Sequence, residues 1–205
     1  AVRILTQRPE DEIGTLFVCR FGEVISTEDA GCPDGTTIIT ENLFENTPAR
    51  RKFLKKNTTE GSAVLAVCEK FALSRPNISV RLLSDGNTKL QTPGDGKMQS
   101  AVYAALGREF ASAMLPVEYE LSGVRVHGYI GKPEICRANR NMQNFFVNGR
   151  YIKSRTMMAA LEEAYKNQKM VGRFPGCVLH LTVKPNAVDV NVHPTKTEVK
   201  FQSEQ

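Results

Sequence analysis

Three glycine dipeptides constrain this chain more than any other feature: Asp85-Gly86, Ser122-Gly123 and Asn148-Gly149. Each stands beside runs of alternating or β-branched residues. Such dipeptides close tight hairpins because their residues tolerate positive φ. They predict one hairpin from Ile78 to Leu83 and Thr88 to Thr92, and a second from Val117 to Leu121 and Val124 to Ile130. A strand from Gln143 to Val147 turns at the third dipeptide. Further strands are expected at Val2 to Thr6, Thr15 to Phe21, Thr36 to Leu43 and Cys177 to Val183.

Helices fall between these runs. Thr47 is a suitable N-cap with Pro48 at the first helical position, predicting a helix over Ala49 to Lys56 that buries Phe53 and Leu54. A second helix follows Asn57, with Glu60 in capping-box spacing and a buried stripe of Val64, Leu65, Cys68, Phe71 and Ala72. Pro76 ends it. Met98 to Leu106 is closed by Gly107, and Ser154 caps a helix burying Met157, Met158, Leu161, Ala164 and Tyr165. The fold class is α+β, and in the second half helices are expected to cover one sheet face. Pro93-Gly94-Asp95-Gly96 is the expected domain boundary, dividing 1–93 from 94–205.

A net charge of +5 over 205 residues favours anionic partners. The five cysteines are scattered and odd in number, which fits a reducing cytoplasm. Cys19, Cys68 and Cys177 read as small core residues. No apolar run approaches the ~20 residues that span a bilayer, so no membrane partner is expected. The chain starts without Met and is read as a fragment. Neither a metal-ligand pattern nor a nucleophile motif is present.

Two basic clusters stand out. Arg50, Arg51, Lys52, Lys55 and Lys56 lie at a helix start, where the macrodipole disfavours cations by a few tenths to about 1 kcal/mol. Glu41, Glu45 or an external anion would offset that cost; a solvated charged face is the plainer reading. Arg137, Arg140, Arg150, Lys153 and Arg155 interleave with aromatics near a hairpin. They read equally as a non-specific DNA groove or as solvated charge. Near the C-terminus, Val188 to Val192 alternates, His193-Pro194 breaks the run, and Val199 to Phe201 resumes it. Lys196 sits in the intervening loop; alone it reads as a surface lysine, although a loop lysine can present a point charge to a phosphate.

Three stretches together resemble one family. GTTIITENLFENTPARRKFLK (35–55), FFVNGRYIKSR (145–155) and DVNVHPTKTEVKF (189–201) are similar, in order, to the MutL family of DNA mismatch-repair proteins. The resemblance implies the C-terminal part of a GHKL ATP-binding α/β sandwich, followed by a transducer domain of ribosomal-protein-like fold. It implies ATP and Mg as cofactors of the intact parent, with none tightly held here. In that family the lysine matching Lys196 reaches the γ-phosphate, Asn191 is a weaker candidate nearby, and Gly35 and Thr36 match the nucleotide pocket. Arg155 matches a DNA-groove arginine, with Lys153, Arg150 and Lys52 in the same expected role. The implied partners are DNA, MutS, a downstream nuclease or helicase, and a second subunit on ATP binding. The implied location is cytoplasmic, nucleoid-associated when on DNA.

The family's general-base Glu, Mg-coordinating Asn, DxGxG motif and phosphate lid match no residues of the chain, so no ATP turnover is expected from it alone. A topoisomerase-type ATPase region also carries a Thr-Lys loop, but NTPARRKF and VNGR argue against it. A non-enzymatic nucleic-acid-binding module is the alternative of a different class.

Overall fold

The computed structural model describes residues 1–184 together with the backbone of 188–189 and 200–201. Asn191 and Lys196 lie outside the described residues. The chain forms two compact units, Ala1–Glu60 and Gly61–Gln205, and Pro93–Gly96 falls inside the second.

In the first unit β1 (Val2–Gln7), β2 (Gly14–Arg20), β3 (Glu23–Ala30) and β4 (Gly35–Thr40) form an antiparallel sheet ordered β3-β2-β1-β4. Ile4 pairs with Phe17 on one side and Ile38 on the other, while Leu5 pairs with Leu16 and Thr37. Both sheet faces therefore carry apolar side chains, yet among residues 1–60 only Gly14 is buried. The helix α1 covers just Pro48–Arg51, and the Thr47 side chain makes no capping bond. The predicted helix to Lys56 is thus cut short, and Phe53 and Leu54 are 83% and 42% exposed rather than buried. A single turn gains no length to bury a stripe against, so its apolar residues stay at the surface.

The second unit is built on five strands. They are β7 (Met114–Leu121), β8 (Val124–Gly131), β9 (Gln143–Val147), β10 (Arg150–Ile152) and β11 (Cys177–Thr182), ordered β10-β9-β11-β8-β7. The strands β9 and β11 run parallel, and α5 (Arg155–Ala164) lies between them in sequence. All five residues of β9 are buried. Period-2 alternation sends Phe145 and Val147 to one face, where Leu161 of α5 and Tyr165, just past its end, meet them. It sends Phe146 to the other face, against Leu73 of α2 (Asn57–Ser74), Val102 of α3 (Met98–Leu106) and Phe110 of α4 (Arg108–Ser112). Helices thus cover both faces, not the one expected. The continuous apolar run Phe145-Phe146-Val147 is the mark of a strand buried on both faces, but the polar Gln143 and Asn144 before it leave too short a run to stand out.

The hairpin dipeptides have the positive φ that their turns require: Asp85 50° and Gly86 75°, Ser122 51° and Gly123 79°, Asn148 48° and Gly149 77°. The first joins β5 (Arg81–Ser84) to β6 (Asn87–Gln91). Ser154 caps α5 by accepting a bond from the Met157 N–H at 3.3 Å. At α3 the cap comes from Asp95, whose carboxylate accepts from the Lys97 N–H at 2.9 Å and the Ser100 hydroxyl at 2.8 Å. In α2 the buried residues are Ala72 and Leu73, while Val64 and Phe71 of the predicted stripe are exposed. Ala164 of the α5 stripe is also exposed. Cys177 is fully buried as expected, Cys19 and Cys68 only partly, and Cys136 is buried although no pattern marked it. The outer part of the chain's C-terminal alternation appears as β12 (Val188–Asp189) paired antiparallel with β13 (Lys200–Phe201).

Candidate nucleic-acid interface

The Asn148-Gly149 turn and the residues following it gather cations. Arg150 opens β10, Lys153 follows it, and Arg155 is the first residue of α5. All three side chains are exposed, and none has an ion-pair partner among the described residues. No acid occupies the first turn of α5, so Arg155 stands uncompensated at the positive end of that helix. A bound anion would relieve both the dipole and the neighbouring cations.

The end of α2 adds two cations that sequence reasoning missed. Ser74 donates a hydrogen bond to the Gly149 carbonyl. The Arg75 guanidinium lies directly against Gly149, in space that a Cβ at that position would occupy. Lys70 sits 4.8 Å from the Tyr151 ring centroid, a cation–π arrangement. Burial, then the positive charge of Lys153, holds the Lys70 ammonium below its usual range. Lys70 thus meets Tyr151 and Lys153, and Arg75 meets the turn at Gly149, with Arg150 and Arg155 within two residues of these along the chain. The contacts of Lys70 and Arg75 cross more than seventy positions of sequence, as in Ser74 to Gly149 (separation 75), and no local pattern reveals them.

The structure divides the second predicted cluster. Arg140 forms a two-bond pair with Glu162 at 2.7 and 3.0 Å, and Arg137 reaches Glu109 at 3.3 Å. Both lie before the start of β9, whereas the turn at Asn148-Gly149 follows its end. They are therefore not part of the same group. Lys52 belongs to the first unit, where it is exposed. The macrodipole objection to Arg50, Arg51 and Lys52 loses its force in a helix of four residues. The carboxylates offered as compensation are engaged elsewhere, Glu41 with Arg3 at 3.2 Å and Glu45 with Arg20 at 3.8 Å.

Gly35 and Thr36 begin β4. Gly35 has φ +107° and no atom within 4 Å of where a Cβ would sit. The exposed Thr36 hydroxyl lies 2.9 Å from that of Thr6. The Thr6 hydroxyl donates to the Gly35 carbonyl at 3.2 Å, which leaves the Thr36 hydroxyl to donate to the Thr6 oxygen; this strand end is open and has a backbone only glycine adopts readily. No cluster of His, Cys, Asp and Glu able to hold a metal occurs among the described residues.

Comparison with known proteins sets these features in a family. The family described as DNA mismatch repair protein, C-terminal domain, matches residues 102–205. A DNA mismatch repair protein MutL of Agathobacter rectalis is 45% identical over 202 residues, 98% of this chain and 31% of that protein. Among solved structures, the N-terminal domain of a DNA repair protein superposes with a TM-score of 0.81 at 22% identity, covering 98% of this chain and 66% of that one. The Aquifex aeolicus MutL ATPase domain complexed with ADP gives a TM-score of 0.72 at 23% identity, covering 90% of this chain and 68% of that one. The fold is therefore the α+β fold shared with ATPase domains of DNA-repair proteins. Within that class, the chain belongs to the MutL family of DNA mismatch-repair proteins. It spans about a third of the length of the curated relatives it matches, 31% to 35% in the first three.

Proposed function

We propose that this chain is part of a MutL-type GHKL ATPase that binds DNA and links mismatch recognition to strand incision during repair. Family membership supports the reading, and the observation that carries it is the group of unpaired cations around Gly149. Five positive side chains, none in an ion pair among the described residues and only Lys70 with a carboxylate (Glu69) acting on it, suit a phosphate backbone, which is recognised by charge rather than by sequence. Arg155, Lys153 and Arg150 are the proposed DNA contacts, with Lys52 as a further one in the first unit. Replacing Arg155 by Ala is expected to weaken DNA binding across sequences and to lower the log–log salt slope by about one. Titrating duplex DNA over a series of salt concentrations reads this directly, and an unaltered slope would remove Arg155 from the interface.

In this reading residues 1–93 belong to the ATP-binding domain and 94–205 to the transducer. The incompletely covered apolar faces of the β3-β2-β1-β4 sheet, with Val24, Ile25 and Ile38 exposed, support it, since an ATP-binding α/β sandwich covers its sheet. Gly35 and Thr36 would hold the nucleotide, and Lys196 and Asn191 would approach its phosphates from the transducer. ATP with Mg supplies the energy of phosphoryl transfer; the chain's own contribution is to bind and position, and Lys196 would stabilise charge at the terminal phosphate. Lys196→Ala in the intact ATPase region is expected to lower turnover at least about tenfold while the circular dichroism spectrum is kept. Undiminished turnover in single-turnover and steady-state assays would refute the assignment. The proposed partners are DNA, MutS, a downstream nuclease or helicase, and a second subunit upon ATP binding. The proposed site of action is the cytoplasm and nucleoid. No helix of the described residues is long and apolar enough to cross a membrane.

A further inference from the structure

A second charged site lies at the other end of β9. The 3-10 turn Pro133–Ile135 and the segment leading from α5 into β11 enclose a pocket of about 540 Å³. Arg137, Lys169 and Arg173 line it with one carboxylate, Glu134, and Cys136 lies beneath. Its frame is fixed by an isolated bridge. The Arg137 N–H donates to the Phe174 carbonyl at 2.9 Å and the Phe174 N–H to that of Arg137 at 2.8 Å. The Arg140 guanidinium, held by Glu162, covers the Phe174 ring at 4.0 Å.

The cations of this pocket are poorly neutralised. Lys169 and Arg173 have no ion-pair partner among the described residues, and Arg137 has only Glu109, whose side chain is 79% exposed. Both Lys169 and Arg173 lie close enough to Cys136 for their charge to offset part of the rise that burial imposes on its thiol. Met170 lines the pocket and is 75% exposed, and the next residue, Val171, is 102% exposed, an apolar tip beside the pocket. Arg and Met are the residue types that protein interfaces favour over ordinary surface.

We infer that this pocket docks an acidic segment of a partner protein that also carries an apolar side chain. Guanidinium groups take carboxylates in a two-pronged fit, and the lining has two positive charges in excess once Glu134 is counted. The apolar rim gives such a segment a second anchor. A phosphate backbone would gain nothing from Met170 and Val171 and would face Glu134 directly. The inference does not depend on the DNA reading, since the two sites lie before and after β9, whose five residues span about 17 Å.

The test is selection of short peptides from a random display library on the protein. It is followed by affinity measurement of the enriched sequences on the parent protein, on Arg173→Glu, on Lys169→Glu/Arg173→Glu, and on Lys153→Glu. The expected result is enrichment of sequences rich in Asp and Glu with at least one large apolar residue. Their binding should fall at least about tenfold in both pocket variants and be unchanged in Lys153→Glu. Arg173 is exposed, so its single variant keeps the fold even if the double variant does not. Enrichment without acidic character, or acidic peptides indifferent to the pocket variants, overturns the proposal. So does a single-stranded oligonucleotide whose binding, rather than that of the peptides, is lost in those variants.

Discussion

Phe146→Ala is expected to cost about 3–5 kcal/mol of stability, the usual range for removing a fully enclosed aromatic ring. Phe146 has 0% exposure and is the fourth of five residues of β9, the strand with both faces covered. Its ring stacks on His180 at 4.5 Å and meets Tyr151 edge-on at 5.9 Å. Around it are Leu73, Val102 and Phe110, which come from three different helices. Their backbones are tied into those helices and cannot converge on the vacated volume, so most of the void would persist. Phe146→Leu should lose less, because more of the volume remains filled. Urea unfolding followed by circular dichroism measures both; the chain has no Trp to report by fluorescence. A loss of less than about 1 kcal/mol for the alanine variant would mean that this core collapses freely.

Mild acid should destabilise the second unit through His180. Burial is the main cause, with the charges of His127 and Arg75 adding to it and a hydrogen bond with the Leu73 backbone opposing it. Together they bring the imidazole down to about 4. His127 stacks on His180 at 5.2 Å and is itself held below its usual range, chiefly by burial. The Nε2 atom of His180 is buried without a partner, consistent with a neutral ring. Above about pH 6.5 the folded and unfolded states both keep this histidine neutral, and it has no influence. Between about 6.5 and 4 only the unfolded chain takes the proton, so stability falls with pH by up to about 3 kcal/mol, complete below about 4. His180→Gln removes the titration. The stability gap between the parent protein and this variant should therefore move by that amount across the window, in the variant's favour as pH falls. Parallel curves from pH 7 to pH 4 would show that His180 is not shielded from solvent in the folded state.

The legible parts of the fold are those decided within a few residues. Asp85-Gly86, Ser122-Gly123 and Asn148-Gly149 require positive φ and have it, and Ser154 reaches its own Met157. What was missed depends on distant neighbours or on their absence. The strand β3 reads EVISTEDA, too polar to alternate, and forms because β2 presents its edge. Helix α4 has five residues, too few for a period to show. Phe53 and Leu54 were assigned to a core that the first unit does not contain. The site shows the same division. Arg150, Lys153 and Arg155 are adjacent in the chain and could be proposed together. Lys70 and Arg75 join them only through the packing of α2 against the hairpin. Arg137 and Arg140 share the sign of those residues, but their carboxylate partners, Glu109 and Glu162, lie more than twenty positions away.

The thinly covered sheet of the first unit has a thermodynamic corollary. The heat-capacity change of unfolding tracks newly hydrated apolar surface, and so does the dependence of stability on denaturant. Residues 1–60 already expose Ile13, Phe21, Val24, Ile25, Ile38 and Phe53 to more than half their full extent. Unfolding them newly hydrates less per residue than unfolding the second unit, since even Ile4, Leu5, Leu16, Phe17 and Val18 are only half-buried. Both quantities for this chain are therefore weighted toward residues 61–205, and a value scaled evenly over all 205 residues would overstate the share of residues 1–60.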